Sequence, residues 1–371
     1  MHIYLFIYTS VIYLFILERV TEIKHRGCSC NTTLSNKKFV MSYKKVFLCL
    51  IILLLFISAF RADNIGADHG TYIFEFNQIK KYGDAYFREK GYVLLNKIII
   101  LLGGNTTALS FAVSFMLCMS FYLYIVRYVS SDYYIISLII FVCQPYMYIQ
   151  STFNIMRQGC ATAVILFSIP FLLDKKWIKF IAIILLASTF HTSALVILLL
   201  IIFKNINFDA QKIRIAAIVC ILMNFVRAGN WPFVIMDRLM GVYSNYSTYE
   251  ASLLNFKPYV IAIFVIILYF SSIYHELYKD NTEKFFVDPF LISLAIMIFC
   301  VQNDILYRLY IYLAFMSVPG TVTICKNLST KSSVIEYCFI GYYSAFYIGY
   351  ISLMYITQNI YYYPFKFVFE K

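Results

Sequence analysis

Charge is what this chain has least of: only 13% of its 371 residues are Asp, Glu, Lys or Arg, with 19 acidic against 31 basic side chains. With 61% hydrophobic residues and a mean hydropathy of +0.74, a water-soluble domain is excluded. Also missing are the motifs that hold nucleotides or catalytic metals, for there is no P-loop, no GxGxxG and no HExxH. No D-x-D pair stands in the segments expected outside the cell, where it would hold a divalent cation for a nucleotide-sugar donor. ATP-driven transport and metal-dependent transfer lose support, and no metal or other cofactor is expected. No internal repeat is visible, which weighs against a transporter built from two related halves.

The ten cysteines do not form a framework either. Seven (Cys49, Cys118, Cys143, Cys160, Cys220, Cys300, Cys338) lie in apolar runs, where free Cys behaves as a small hydrophobe. Cys28 and Cys30 make a lone C-x-C without a second pair, which is not a metal site.

What is present is a series of apolar runs of helical length, which specifies an all-α polytopic bundle of about 11–12 spans, some short or broken, rather than a barrel of alternating strands. Residues 3–17 form a first run, followed by a basic segment containing Arg19, Lys24, Arg26, Lys37, Lys38, Lys44 and Lys45. Met41 stands just before a longer run at 46–60 that reads as a signal-anchor, so residues 1–40 read either as an upstream extension of the reading frame or, where translated, as one additional span. Residues 41–371 are expected to form one integral-membrane domain. Residues 61–91 are mixed polar and aromatic, the first external loop; 92–102 is about half the length needed to span and reads as re-entrant. Further spans are expected at 109–126, 133–149, 155–173, 177–190, 194–203, 213–226, 259–273, 289–301, 305–322 and 335–355.

The formal charge of +12 does not gather in one patch, so nucleic acid is not an expected partner. With alternate crossings the basic short loops fall on one side: Arg127; Lys175 and Lys176; Lys204, Lys212 and Arg214; Lys279 and Lys284; Lys326 and Lys331. By the positive-inside rule that side is the cytoplasm. The long loops 61–91 and 227–257 face outward, the second carrying Trp231 and many Tyr, Asn and Ser residues that suit either sugar contacts or an interfacial aromatic belt.

The most informative stretch is 153–193, two apolar runs joined by the turn Asp174, Lys175, Lys176, with Arg157 and His191 at the opposite ends. Antiparallel packing of the two runs brings those two residues to one external face. Asn154 reads as an N-cap, leaving a positive helix end beside Arg157 that suits a phosphate. The second run breaks at His191, Thr192 and Ser193, ahead of a short helix at 194–203. The plainer alternatives are an arginine reaching for lipid headgroups and a histidine packing one helix on another.

These residues resemble a known family. The segment F-N-x-x-R-Q-x-x-A at Phe153, Asn154, Arg157, Gln158 and Ala161, and A-x-x-F-H-x-S-A-L at Ala187, Phe190, His191, Ser193, Ala194 and Leu195, are similar to hallmarks of the EpsG-type polysaccharide polymerases, relatives of the Wzy polymerases. Weaker matches are G-x-D-x-x-x-Y at Gly66, Asp68 and Tyr72, R-x-x-x-Y at Arg308 and Tyr312, and a terminal Y-P-F at 363–365. The resemblance runs from about Val46 to the C-terminus. It departs at Glu89-Lys90-Gly91-Tyr92, where the family has a Glu-Pro-x-Tyr-like element, and at Cys160, a position often leucine.

The resemblance implies polymerisation of oligosaccharide repeat units carried on undecaprenyl diphosphate, at the outer face of the bacterial cytoplasmic membrane, for a capsule, exopolysaccharide or O-antigen. Arg157 would neutralise the leaving diphosphate, assisted by Arg308, and His191, or its rival Asp68, would accept the proton of the attacking hydroxyl. Asn154, Gln158, Ser193, Tyr72 and Tyr312 are the expected substrate contacts. Lipid-linked oligosaccharides, the bilayer, and the flippase and chain-length regulator of the same pathway are the expected partners. A flippase for the same lipids and a membrane acyltransferase are the competing classes.

Overall fold

The computed structural model describes residues 2–26, 33–83, 89–144, 147–226, 257–301, 304–330, 334–356 and 365–369. The Cys28–Cys30 pair, almost all of the second long loop (227–256), Lys331, Tyr363 and Pro364 lie outside the described residues. The described chain is helical, and its one β-bridge joins Arg61 to Phe367. Among the described residues three helices, Thr106–Tyr128, Leu306–Ser329 and Val334–Ile356, are long and apolar enough to cross a membrane, and shorter apolar helices accompany them. The chain forms two compact units, residues 1–195 with 337–371, and residues 196–336.

The first unit carries α1 (His2–Arg26), α2 (Thr33–Ala59), α3 (His69–Tyr82), α4 (Lys90–Leu101), α5 (Thr106–Tyr128), α6 (Tyr134–Cys143), α7 (Ile149–Phe153), α8 (Met156–Leu166), α9 (Ile169–Leu173) and α10 (Trp177–Phe190). Helices α4, α5, α8 and α10 pack in a ring, α4 against α5, α5 against α8, α8 against α10 and α10 back against α4. Tyr92, Ile99, Leu109, Val113, Met156 and Cys160 fill it, with Tyr72 and Phe76 of α3 added from the side. Asn105 caps α5 by accepting from the Ala108 N–H at 3.0 Å, one reason that helix begins ahead of its apolar run.

Two expected spans are broken, and local chemistry says why. Helix α6 stops at Cys143 because Gln144 precedes Pro145 and takes an extended conformation. Helix α8 stops at Leu166, and α9 restarts with Pro170 in its first turn, where a missing N–H costs nothing. The first external loop is not irregular throughout: α3 occupies its middle and buries Tyr72, Glu75, Phe76 and Ile79. The α1 helix also runs through the basic segment to Arg26 rather than ending at 17.

The end of the chain is tied to the start of that loop. The Ala62 N–H donates to the Lys366 carbonyl and the Val368 N–H to the Phe60 carbonyl, each at 2.9 Å. Phe365 lies 6.2 Å from the Phe153 ring and 5.7 Å from Tyr4 of α1. Tyr347, which stacks on Tyr8 and donates to the Tyr4 carbonyl at 3.0 Å, belongs to the final helix, Val334–Ile356.

The second unit contains α11 (Leu199–Asn205), α12 (Ala210–Phe225), α13 (Lys257–Ser272), α14 (Asn281–Cys300) and α15 (Asp304–Ser329). The α14 helix packs against α12, α13 and α15, and its buried face runs almost all round, from Phe286 to Cys300. Asp280 caps it through the N–H groups of Thr282 and Glu283. We number the closing helix, Val334–Ile356, α16.

Candidate functional site

The site is built by three chain breaks brought together. The first follows α2, where the buried Arg61 guanidinium spans the carbonyls of Ser58, Ile65 (3.2 Å) and Phe153 (3.5 Å), and lies 5.0 Å from the Phe153 ring. Gly66, at φ +111°, presses on the Phe153 carbonyl so closely that a Cβ there would overlap it, and would sit 3.1 Å from Asn154 Oδ1. His69 is held by the Asp63 carbonyl at 3.1 Å and Ser110 Oγ at 3.2 Å. Burial, with the Arg61 charge added, pushes its pKa down to about 3, so the ring is neutral. The loop is thereby fastened to the F-N motif, and α3 leaves it with Asp68 at its N-cap and Tyr72 one turn on.

The second break is the F-N motif itself. Asn154 does not cap α8 as its position suggested. The N-cap is Ile155, while Asn154 ends α7 and its side-chain amide donates to Gln150 Oε1. Gln150 accepts the N–H groups of Asn154 and Ile155 on its carbonyl, both at 2.9 Å, and donates to the Tyr350 hydroxyl at 2.7 Å. The turn that frees the start of α8 is therefore made by Gln150. Gly159 lets α8 approach the Ser151 carbonyl, a contact that a side chain would block. Arg157 then stands in the first turn of α8, with Gln158 buried beside it.

The third break joins α4 and α10. Gly91, in the first turn of α4, touches Thr189 near the end of α10, where a Cβ would run into the Thr189 hydroxyl and backbone. This close approach sets Glu89, the N-cap residue of α4, beside His191, the extended C-cap residue of α10. The expected break after α10 is found, continuing as a 3-10 turn, Thr192–Leu198, that contains Ser193, and then as α11.

Glu89 completes the site. Its Oε2 accepts from Arg157 Nη1 at 2.5 Å and its Oε1 from His191 Nδ1 at 2.7 Å. The carboxylate is only 10% exposed, while the arginine and histidine side chains are 29% and 28% exposed, so those two groups open outward and the carboxylate lies behind them. Burial raises the Glu89 pKa, but the hydrogen bond from His191 and the charge of Arg157 together outweigh it and hold the carboxyl below its ordinary range. An ionised carboxylate only accepts, so Nδ1 of His191 carries the hydrogen and Nε2 faces the other way. Arg157 also lies 5.5 Å from the Tyr72 ring, on a face that attracts cations, and its Nε is buried with no hydrogen-bond acceptor among the described residues.

Arg157, His191 and Tyr72 are thus brought together with Glu89, while Asn154 and Gln158 flank Arg157 in the chain, Ser193 follows His191 and Asp68 precedes Tyr72 by one turn, all within the first unit. Arg308, exposed, and Tyr312, buried, stand on α15 in the second unit. Glu89 was left aside in the reading of the sequence because its element lacks proline. In the structure that element is a helix start, where Lys90 serves as well as the proline favoured at such positions.

The fold and site define a helical membrane protein in which a buried carboxylate joins an arginine and a histidine at the ends of two packed helices. More particularly, the chain belongs to the EpsG family, whose family model matches residues 44–367. No curated protein and no solved structure gives a significant match to the chain.

Proposed function

We propose that this chain is the membrane-embedded polymerase of a bacterial surface polysaccharide. It joins oligosaccharide repeat units carried on undecaprenyl diphosphate at the outer face of the cytoplasmic membrane, through a bundle of about 11–12 spans, some broken. The observation that carries this reading, beside membership of the EpsG family, is the Glu89 carboxylate binding Arg157 and His191 together.

The reaction asks for two things that this grouping suits. The oxygen of an acceptor hydroxyl attacks the anomeric carbon of the donor, the bond from that carbon to the diphosphate oxygen breaks, and its electron pair leaves with the diphosphate. Positive charge must meet the growing negative charge on the leaving group, a task for Arg157, whose Nε–H has no acceptor among the described residues, with Arg308 as a second cation. The hydroxyl proton must be accepted, and Nε2 of His191 is suited to it because Glu89 fixes the hydrogen on Nδ1 and stabilises the imidazolium that forms. Asp68 is the rival base. Asn154, Gln158, Ser193, Tyr72 and Tyr312 serve as substrate contacts, and a flippase and a chain-length regulator are the partners of such an enzyme.

Deletion of the chain in the bacterium that carries it is the test. The expected result is loss of long polymer with single lipid-linked units still reaching the outer leaflet. Units trapped at the inner leaflet would instead identify a flippase, and full-length polymer without acyl groups an acyltransferase.

A further inference from the structure

Gln150 makes the turn that leads into Arg157, yet little in the neighbouring sequence holds that turn. Helix α7 has only five residues, too few to persist on its own, and the N-cap residue of α8, Ile155, supplies no side-chain cap. The turn is held from residues 200 or more positions later, at Gln150 by α16 and at Phe153 by the segment 365–369.

The first hold is a hydrogen bond. Gln150 accepts on Oε1 from the Asn154 side chain and donates from Nε2 to the Tyr350 hydroxyl at 2.7 Å, so the residue whose carbonyl receives the Asn154 and Ile155 N–H groups is itself fixed to α16. The second hold is on Phe153, which is fully buried. Its ring lies 6.2 Å from Phe365 and 5.0 Å from the Arg61 guanidinium, which also reaches the Phe153 carbonyl and Met156 Sδ, each at 3.5 Å. Phe365 opens the segment that pairs with the chain at Arg61: the Arg61–Phe367 bridge is flanked by Ala62 N–H donating to the Lys366 carbonyl and Val368 N–H to the Phe60 carbonyl, each at 2.9 Å. Arg61 therefore has its backbone in the bridge and its side chain on the turn.

We infer that Tyr350 and Phe365 are positioning residues of the proposed reaction, which fix the turn from Gln150 to Phe153 and through it set Arg157 where an anion is bound. The inference rests on the diphosphate reading of Arg157 given above. A guanidinium that meets charge on a leaving group has to be placed to within a fraction of an ångström, and a displacement of about 1 Å costs about 100-fold. Glu89 holds the Arg157 side chain at its tip, while Tyr350 and Phe365 hold the backbone from which it grows. Both ends of the arginine are then fixed, and neither Tyr350 nor Phe365 needs to touch the ligand.

The test is calorimetric titration of the purified full chain, in lipid nanodiscs, with inorganic diphosphate, each variant checked for an unchanged elution volume. Wild type is compared with R157A, Y350F, F365A and F365Y. The control for a merely structural loss is Y274F, which removes a buried tyrosine hydroxyl bonded to Asp288 at 2.5 Å and to the Phe208 carbonyl at 3.2 Å in the second unit. R157A should bind at least about tenfold more weakly than wild type, Y350F about 3- to 10-fold and F365A about 10- to 30-fold. F365Y keeps the ring at a half-buried position and should bind within about threefold of wild type, as should Y274F. Wild-type affinity in Y350F or in folded F365A, F365Y as weak as F365A, or an equal loss in Y274F would each overturn the inference while leaving Arg157 its role. Should F365A yield no folded species, Y350F decides, since it removes a single hydroxyl. Absence of diphosphate binding by wild type, or wild-type affinity in R157A, would fail the Arg157 reading itself and take this inference with it.

Discussion

Glu89 gives one oxygen to the Arg157 guanidinium and the other to the His191 imidazole, and this division decides what a substitution at Arg157 does. Arg157 Nη1 is held by Glu89 and Nε has no acceptor among the described residues, so under the proposed reading the planar fork would serve the resting site and a ligand at the same time. A lysine ammonium can hold Glu89 but is a point charge without a second, fixed edge. Arg157→Lys is therefore expected to fail nearly as badly as Arg157→Ala, losing about 2–4 kcal/mol of transition-state stabilisation, or roughly 30- to 1,000-fold in rate. Polymer length in cells holding equal membrane amounts of each variant measures it, with His191→Ala and Asp68→Asn alongside to separate the rival bases. Near-normal polymer from Arg157→Lys would return Arg157 to the role of a headgroup anchor. Arg157 and His191 were legible because polar residues at the ends of long apolar runs stand out. Glu89 was not, being one of five acidic residues in one polar segment, Asp63, Asp68, Glu75, Asp84 and Glu89. Its meeting with Arg157 depends on α4 folding back on α8 and α10, which no local spacing records.

Helix lengths set the next level. The run 177–190 matches α10 residue for residue, since its ends coincide with a charged turn and a polar break, both visible in the sequence. The breaks within 133–149 and 155–173 were hidden because apolar side chains continue through them; Pro145 and Pro170 were the signals that ordinary hydropathy overlooks. The Asn154 assignment failed for a related reason: an asparagine before a helix is a good cap, yet here a neighbouring amide, Gln150, makes the turn and takes its side chain. Among these elements the α4–α10 crossing is the one that function should feel most directly. Gly91→Ala places a methyl group in hard overlap with the Thr189 hydroxyl and against its backbone, so that Thr189 or the helices must shift, and draws Glu89 from His191. Overpacking of this sort costs about 1–3 kcal/mol. A polymer yield reduced about tenfold or more is expected, partly restored in the double variant with Thr189→Gly, which removes the opposing side chain. Full activity in Gly91→Ala would mean that the Glu89–His191 contact does not depend on this crossing.

At the scale of the whole molecule, the +12 charge and its dispersal over short loops predict sidedness, and the first unit offers an independent reason to expect the same answer. Asp174, in the turn between α9 and α10, feels the charges of Lys176 and of Arg127 at the end of α5. Arg127 and the Lys175 turn are therefore neighbours, as a shared cytoplasmic loop face requires. The other end of α8 and α10 carries Arg157 and His191 with Glu89 between them, so the candidate site is separated from the basic turn by the length of the helices. Membrane-impermeant thiol labelling of single-cysteine variants, in a background from which all ten native cysteines have been removed, reads this out directly. Asp68→Cys and Ser244→Cys are expected to label from outside intact cells. Arg127→Cys, Lys175→Cys and Lys204→Cys should label only after the membrane is opened. Labelling of Lys175→Cys from outside would invert the unit, put Arg157 and His191 at the cytoplasmic face where lipid-linked units are assembled rather than polymerised, and remove the outer-face polymerase reading with it.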